Sequence, residues 1–284
     1  MTPADKNRAA LPPLSPKDDF VFRKLFGDQN HVDMVLSFLK TFVDLPDDEY
    51  ADIAVVSPNL VPEVKSGKSC VLDLRLRTRT GTTIHVEIQR CDTGEMNERI
   101  AVYGAKMLDG QIKSGGSYKH VNRVISVLIT DFDLLDKMAG YHTRFQLRSD
   151  DGRIVLTPVL EFHILELRKV PVAEDGQRVW HWLKFLAAET KEEFTMLQQT
   201  YSDLQKPVAR LMEMSEDEIT RYQKDAWDKA RWDEEARMRK SKAEGVTETK
   251  AEVAANMLKK GFPVSTIAEL TGLALAEIEA LNKA

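Results

Sequence analysis

The chain has 284 residues, enough for one large domain with an appendage or for two modest domains. Hydrophobic residues form 43% of it and charged residues 30%, a balance that indicates a soluble, globular protein with a well-solvated surface. The formal net charge of −5 excludes a globally basic protein, so a polyanionic partner would have to be met by a local basic patch.

The cysteine content and the lengths of the apolar runs indicate where in the cell the protein is located. No apolar run approaches the ~20 residues that a membrane span needs, and the N-terminal segment lacks the apolar stretch of a signal peptide. Cys70 and Cys91 are the only cysteines, too few for a disulfide framework, and the six histidines show no zinc-site spacing. We therefore expect a cytoplasmic protein with no membrane partner.

The N-terminal region predicts a lead-in and two helices. Residues 1–13 are rich in Pro and Ala and predict a disordered segment. Apolar residues from Phe22 to Phe26 have helical spacing, and Gly27 ends that helix. The same spacing recurs over 32–39 and predicts a second helix.

A β-hairpin is predicted next, over VLDLRLRTRTGTTIHVEIQ at 71–89. Apolar and polar residues alternate on both sides of a turn, which is typical of half-buried strands whose polar set faces out of the core. A three-residue loop ending in a left-handed Gly81 pairs residues whose numbers add to 160. This register places Asp73 directly opposite Glu87.

Two carboxylates in that arrangement repel each other and need a compensating charge. One candidate is a divalent cation, because Mg²⁺ commonly takes one or two carboxylates and completes its shell with water and phosphate. The other is a surface salt-bridge cluster with Arg75 or Arg77. The hairpin by itself leaves both interpretations open.

The segment around the hairpin is locally basic. Between Glu63 and Arg90 it has six basic residues against three acidic ones, or +3 in a protein that is −5 overall. The basic residues are Lys65, Lys68, Arg75, Arg77, Arg79 and Arg90. An acid pair that binds a metal inside a basic patch is what phosphodiester cleavage requires.

The following elements extend an α/β pattern. A helix is predicted over 94–110, ending near Gly110, and a buried strand over 121–130. Two more strands are predicted on either side of an Asp-Gly turn, and from Trp180 onward the pattern is helical only.

The C-terminal region predicts a charged helix and three short ones. The charged helix covers 217–245, with Asp225–Lys229 and Glu235–Arg239 as i,i+4 ion pairs. Beyond it, three short helices are separated at 261–263 and at 271–272.

Several of these motifs together resemble the PD-(D/E)XK nuclease superfamily, and more narrowly its recombination-promoting nuclease and transposase family, where Gln replaces the usual Lys. They are, in order, DDFVFRKLFG with Asp19, Phe22 and Arg23; Asp73; GTTIHVEIQ with Glu87-Ile88-Gln89; NERIAVYGAKM with Arg99 and Tyr103; and the tail KKGFPVSTIAELTGLALAEIEAL. No Pro precedes Asp73, where the superfamily motif has one. The resemblance covers some 260 residues.

The resemblance implies site roles. Asp73, Glu87 and the Ile88 carbonyl would bind Mg²⁺, or Mn²⁺ in its place. Gln89 would stand where the superfamily has Lys; a neutral amide orients water or a phosphate oxygen but cannot take a proton.

The resemblance also implies roles for residues around the metal site. Asp19 would support the metal or its water, although an acid at the start of a helix is also favoured by the helix dipole. Arg99 and Tyr103 would contact phosphate, and Tyr103 could equally be a core residue. Arg75, Arg77 and Arg90 are the expected DNA contacts.

The last two short helices resemble a helix-turn-helix. Only one basic residue, Lys283, occurs in 261–284, whereas a recognition helix exposes basic or amide side chains. We therefore interpret this element as one for packing or self-association.

Our prediction is an α/β fold: a PD-(D/E)XK restriction-endonuclease-like mixed sheet flanked by helices, with the hairpin near its centre. The nuclease-like domain would span 14–214 and a helical tail 215–284. The predicted function is Mg²⁺-dependent DNA endonuclease in recombination or mobile-element biology, with DNA and a second copy of the chain as partners. The alternative is a catalytically silent, transposase-derived DNA-binding or scaffold protein; a structural RNA-binding module lacks the aromatic stacking cluster it would need.

Overall fold

The computed structural model describes residues 12–56, 74–112 and 116–281. Most of the predicted lead-in and Asp73 lie outside these ranges.

Strands occur only in the first two thirds of the described residues, in two groups of three separated by a helix. The α-helices are α1 (Asp19–Phe26), α2 (Val32–Leu39), α3 (Asp47–Ala51), α4 (Met96–Asp109), α5 (Arg178–Ala187), α6 (Lys191–Thr200), α7 (Gln205–Glu216), α8 (Glu218–Lys259), α9 (Val264–Thr271) and α10 (Leu275–Leu281). The strands are β1 (Ile53–Val56), β2 (Leu74–Thr78), β3 (Thr83–Gln89), β4 (Val124–Thr130), β5 (His142–Arg148) and β6 (Val155–Glu166). Short 3-10 turns lie at Gln29–His31, Tyr118–His120, Leu167–Lys169 and Ser202–Leu204.

The strands form a mixed six-stranded sheet in the order β1-β2-β3-β4-β6-β5. β3 pairs in parallel with β4, and β4 with β6, while the remaining pairs are antiparallel. The predicted fold class is confirmed, with the hairpin strand β3 in the interior of the sheet.

The hairpin has the predicted register. Leu74 pairs with Val86 and Arg77 with Thr83, so the paired numbers add to 160. Gly81 has φ +98°, a conformation that favours glycine, and a Cβ there would lie 2.5 Å from the side-chain Nδ2 of Asn122, which would have to move. The turn thus determines which residues face each other across the ribbon.

The expectation that β3 is half-buried is wrong. Every residue from Thr83 to Ile88 is buried, including the polar His85 and Glu87. The reason is that β4 pairs with the far edge of β3 and α4 covers the face that the polar residues occupy. Alternation within a hairpin reveals its two faces but not whether a helix lies over the polar one.

The main core lies on the opposite sheet face, under α1, α2 and α5. Phe26 is central to it, with ring centroids 4.8 Å from Phe22, 6.4 Å from Phe38 and 6.2 Å from Trp182. All four side chains are fully buried. This packing anchors α1, which begins at the capping side chain of Asp18 and ends at Gly27 as predicted.

The chain divides into two compact units between Arg221 and Tyr222. In the second unit, Ala254, Ile267 and Ile278 form a small buried cluster. The predicted break near Gly245 is absent, because α8 runs without interruption for 42 residues. An i,i+4 ion pair in α8 joins Lys224 to Asp228 at 2.5 Å. Within the described ranges, no helix combines the length and apolar character that crossing a membrane demands.

Candidate active site

Glu87 lies near the carboxyl end of β3 and is only 3% exposed. Burial disfavours its charged form and raises the pKa of the carboxyl above its ordinary value. The Arg99 charge and a hydrogen bond from Gln89 oppose that rise, while the negative charge of Asp19 adds to it. A buried carboxylate of this kind is retained only with compensating donors.

Two side chains supply those donors at the same oxygen. Gln89 Nε2 donates to Glu87 Oε1 at 2.7 Å, and Arg99 Nη2 donates to it at 2.6 Å. Arg99 Nε also donates to the Tyr103 hydroxyl at 3.0 Å, one helical turn further along α4. The structure thus brings together four residues that the sequence singled out. Tyr103 also packs against the buried Met107 and Val124, so its ring serves the core while its hydroxyl accepts from Arg99.

His85 belongs to the same cluster and was missed in the sequence. It is 1% exposed, its Nδ1 lies 3.2 Å from Ser126 Oγ, and its Nε2 lies 3.7 Å from Glu87 Oε2. Burial, with the charges of Arg75 and Arg99, lowers its pKa to about 3, so the imidazole is neutral. The period of two places His85 beside Glu87, and that spacing was the available signal.

Asp19 opens α1 and is electrostatically coupled to Glu87. The helix cap is the neighbouring Asp18, whose carboxylate accepts from the Val21 N–H at 3.4 Å. Asp19 Oδ1 is buried and has no hydrogen-bond partner in the part of the chain that the structure describes. Asp19 lies in the first turn of α1, where the helix dipole favours an acid, so both interpretations of Asp19 remain and its supporting role stays a prediction.

The three expected DNA contacts occupy different environments. Arg75 pairs across the hairpin with His85 and is half-buried, and burial followed by the Arg77 charge lowers its pKa. Arg77 is exposed on the same side of β2. Arg90 follows β3, with Nη1 3.8 Å from Asp18 Oδ2.

The salt-bridge alternative for Glu87 named Arg75 or Arg77 as the compensating arginine. The arginine that contacts Glu87 is instead Arg99.

The donor chemistry fits a hard divalent cation. Glu87 and Asp19 supply carboxylate oxygens, the ligand type that Mg²⁺ prefers, and one Asp19 oxygen is buried without a hydrogen bond. Over residues 12–56, 74–112 and 116–281, no group of three or more His, Cys, Asp or Glu side chains forms a metal site. Asp73, the expected second ligand, lies outside those ranges.

A mixed sheet of this order, with Glu-Ile-Gln at the end of an interior strand and its glutamate buried, defines a PD-(D/E)XK nuclease-type domain. The family model described as PD-(D/E)XK nuclease family transposase matches residues 16–241, and the chain belongs to that family. No curated protein and no solved structure matches the chain significantly. Nucleases of the PD-(D/E)XK type generally use divalent metal ions.

A second family model matches residues 247–283, and its description is the C-terminal HTH domain of the Rpn/YhgA-like nuclease family. The structure has the two short helices α9 and α10 there, joined by a turn at Gly272 with φ +68°. The exposed part of α10 carries Leu275, Glu277 and Glu279. Our interpretation of this element as one for packing or self-association stays a prediction.

Proposed function

We propose that the chain is a Mg²⁺-dependent DNA endonuclease that hydrolyses phosphodiester bonds in recombination or mobile-element biology. The observation that carries the proposal is the buried Glu87 carboxylate, held by Gln89 and Arg99 at the end of β3, in a chain of this nuclease family. Burying a carboxylate among polar donors is costly, and such arrangements are concentrated at functional sites.

Asp73, Glu87 and the Ile88 backbone carbonyl would hold Mg²⁺ or Mn²⁺, which when bound polarises the scissile phosphate and activates water. The assignment of Asp73 extends the observed register of Leu74 with Val86 by one residue pair. Asp19 would support this site through its one buried carboxylate oxygen, Oδ1. Gln89 holds Glu87 by an amide hydrogen bond and cannot act as a base, because an amide does not take a proton.

DNA would be held through its backbone phosphates by Arg75, Arg77 and Arg90. The register supports this assignment, since it puts Arg75 and Arg77 on the sheet face of Glu87. Contacts of this kind bind without reading bases, so sequence preference should be weak. A homodimer that would cut both strands is part of the proposal, and so is a cytoplasmic location, which suits the exposed free thiol of Cys91.

A catalytically silent DNA-binding or scaffold protein is the second candidate function. The ion pair between Arg99 and Glu87 favours it, because an arginine at 2.6 Å occupies one of the two carboxylate oxygens that could bind a metal. Gln89 in place of the superfamily Lys points the same way, since the strand then lacks a positive charge at that position.

Nicking of supercoiled plasmid separates the two candidates. We expect nicking with Mg²⁺ or Mn²⁺, none with EDTA, and a loss of at least about a hundredfold in Glu87→Gln and in Asp73→Asn. Glu98→Gln makes the same chemical change at an exposed position of α4 and should nick like the unmodified chain. Nicking that survives both EDTA and the Glu87 substitution, or no nicking with either ion, would favour the silent protein.

A further inference from the structure

We propose that Arg99 is an internal counter-ion of Glu87 which a divalent cation must displace, so that Arg99 opposes metal binding in the absence of DNA. The inference rests on the proposed function, because it assigns Glu87 to a metal. It makes Arg99 a residue that sets the metal affinity of the site. It goes beyond the phosphate contact implied by the family resemblance, which concerns the nucleic acid and leaves the metal-free protein unexplained.

The geometry already places one cation, the Arg99 guanidinium, on the carboxylate that a metal would bind. Arg99 Nη2 lies 2.6 Å from Glu87 Oε1, while Glu87 is 3% exposed and the Arg99 side chain is 30% exposed. A guanidinium therefore reaches from the protein surface into a buried carboxylate. A divalent ion bound to the same carboxylate would lie next to the guanidinium. Two positive charges so close together, away from bulk water, repel each other strongly.

The second donor on Oε1 does not compete in this way. Gln89 Nε2 lies 2.7 Å from the oxygen but carries no charge, so its repulsion of a cation is small. Of the two donors, only Arg99 neutralises the negative charge of Glu87, so its removal leaves that charge available to a metal ion. The superfamily Lys at position 89 would put a second cation on this carboxylate, and Gln89 avoids that conflict with Arg99.

Contacts with Tyr103 would keep the Arg99 side chain near the site after it leaves Glu87. Its Nε donates to the Tyr103 hydroxyl at 3.0 Å, and its guanidinium carbon is 5.3 Å from the Tyr103 ring centroid. Both contacts lie within α4, so they can persist when the bond to β3 breaks. The displaced guanidinium would remain beside the site, and its planar fork suits phosphate oxygens.

The test is metal affinity of the full chain without DNA, measured for Mn²⁺ by calorimetry and by electron paramagnetic resonance of the free ion. Arg99→Gln should lower the Kd for Mn²⁺ about tenfold, a typical coupling between competing ligands. Lys106→Gln removes one positive charge from the same helix at an exposed position and should change the Kd less than about twofold. Arg99→Lys keeps the cation and should bind Mn²⁺ with nearly unchanged affinity.

Equal or weaker Mn²⁺ binding by Arg99→Gln overturns the inference, since it would mean that Arg99 orients Glu87 for the ion. The Nε–H resonance of Arg99, assigned with Arg99→Lys, gives a measurement on the unmodified chain. It should shift as Mg²⁺ saturates the protein, and an unmoved resonance at saturation also overturns the inference.

Failure of this inference differs from failure of the proposed function. Metal-dependent nicking without a gain in affinity for Arg99→Gln leaves the endonuclease and removes the counter-ion. A gain in affinity in a chain that never nicks DNA supports the counter-ion and removes the endonuclease. No Mn²⁺ binding by either chain overturns both.

Discussion

Glu87 shows how much of a single side chain's role depends on neighbours that are distant in sequence. The spacing in β3 predicted that Glu87 and Gln89 share a side, and the structure joins them by a hydrogen bond of 2.7 Å. The predicted compensators were a metal or the hairpin arginines, yet the contact comes from Arg99 on α4. His85, which completes the cluster, was treated as an outward residue because the covering helix was not foreseen.

A second buried carboxylate, Glu161, lies on the opposite face of the sheet. The registers place Ile164 on the Glu87 side, so Glu161 and His163 face the other way. One Glu161 oxygen accepts from His163 at 2.7 Å. The other receives three donors: Arg123 at 3.0 Å, Arg144 at 2.7 Å and Gln146 at 2.6 Å.

We expect Glu161→Gln to lower the free energy of unfolding at pH 7 by about 2–3 kcal/mol, because Arg123 and Arg144 lose their charged partner and a neutral amide cannot accept all of the hydrogen bonds. Burial raises the pKa of Glu161, but the hydrogen bonds from His163, Arg144 and Gln146 and the charge of Arg123 hold it well below its ordinary 4.5. A carboxyl with a lowered folded-state pKa stabilises fully above its unfolded-state value. That stabilisation is lost as the pH falls through the folded-state value.

The measurement is urea unfolding at several pH values from about 7 down to about 3. The difference in free energy of unfolding between the unmodified chain and Glu161→Gln should become smaller as the solution becomes acidic. Glu98→Gln, which alters an exposed carboxyl, should show no such narrowing. A gap that stays constant over this range would contradict the assigned role of Glu161.

Local sequence patterns predicted the helices and strands correctly where the contacts that determine them join residues close together in the sequence. The hairpin register follows from a three-residue turn, and the end of α1 from Gly27. The predicted break near Gly245 failed because one glycine in a helix interior costs only about 1 kcal/mol, too little to interrupt strong helix formers on both sides.

The close approach of α4 to the sheet predicts different outcomes for two helix glycines. A Cβ at Gly104 would lie 2.9 Å from Phe162 Cε1 and 3.0 Å from Leu160 Cδ1, whereas one at Gly245 would meet nothing within 4 Å. Gly104→Ala should therefore destabilise the protein, and Gly245→Ala should stabilise α8 by up to about 1 kcal/mol. The difference between the two variants should be about 2 kcal/mol in urea unfolding.

Plasmid nicking adds a second measurement to that pair. Because α4 carries Arg99 and Tyr103, displacing it should disturb the cluster around Glu87 and reduce nicking in Gly104→Ala only. If Gly104→Ala were as stable and as active as Gly245→Ala, the tight contact of α4 with β6 would not matter.

Across the full length, the two compact units have separate buried clusters. The first contains the sheet and the candidate site, and it includes most of the match to the nuclease family. The second rests on few residues, chiefly Ala254, Ile267 and Ile278. The predicted domain limits of 14–214 and 215–284 stay a prediction.

A charge placed in the small cluster should therefore unfold the second unit alone. Ile267 is fully buried, so Ile267→Asp puts an unpaired carboxylate there at a cost of several kcal/mol. Hydrogen exchange should show loss of protection in α9 and α10 and unchanged protection in β3 and β4. Ser265→Asp, at an exposed position of α9, is the control. Loss of protection in β3 would show that the two units unfold together.

The amino-acid pattern was sufficient for the features that depend on neighbouring residues: the helix ends, the hairpin register, the shared side of Glu87 and Gln89, and the family motifs in their order. Turn geometry and side-chain period are local, so their outcome can be worked out from the order of residues. The pairing of Arg99 with Glu87, the burial of His85 and the Glu161 cluster arise only when α4, β4 and β5 pack against their partners. Burial and long-range ion pairs depend on which surfaces meet, and no local period encodes that meeting.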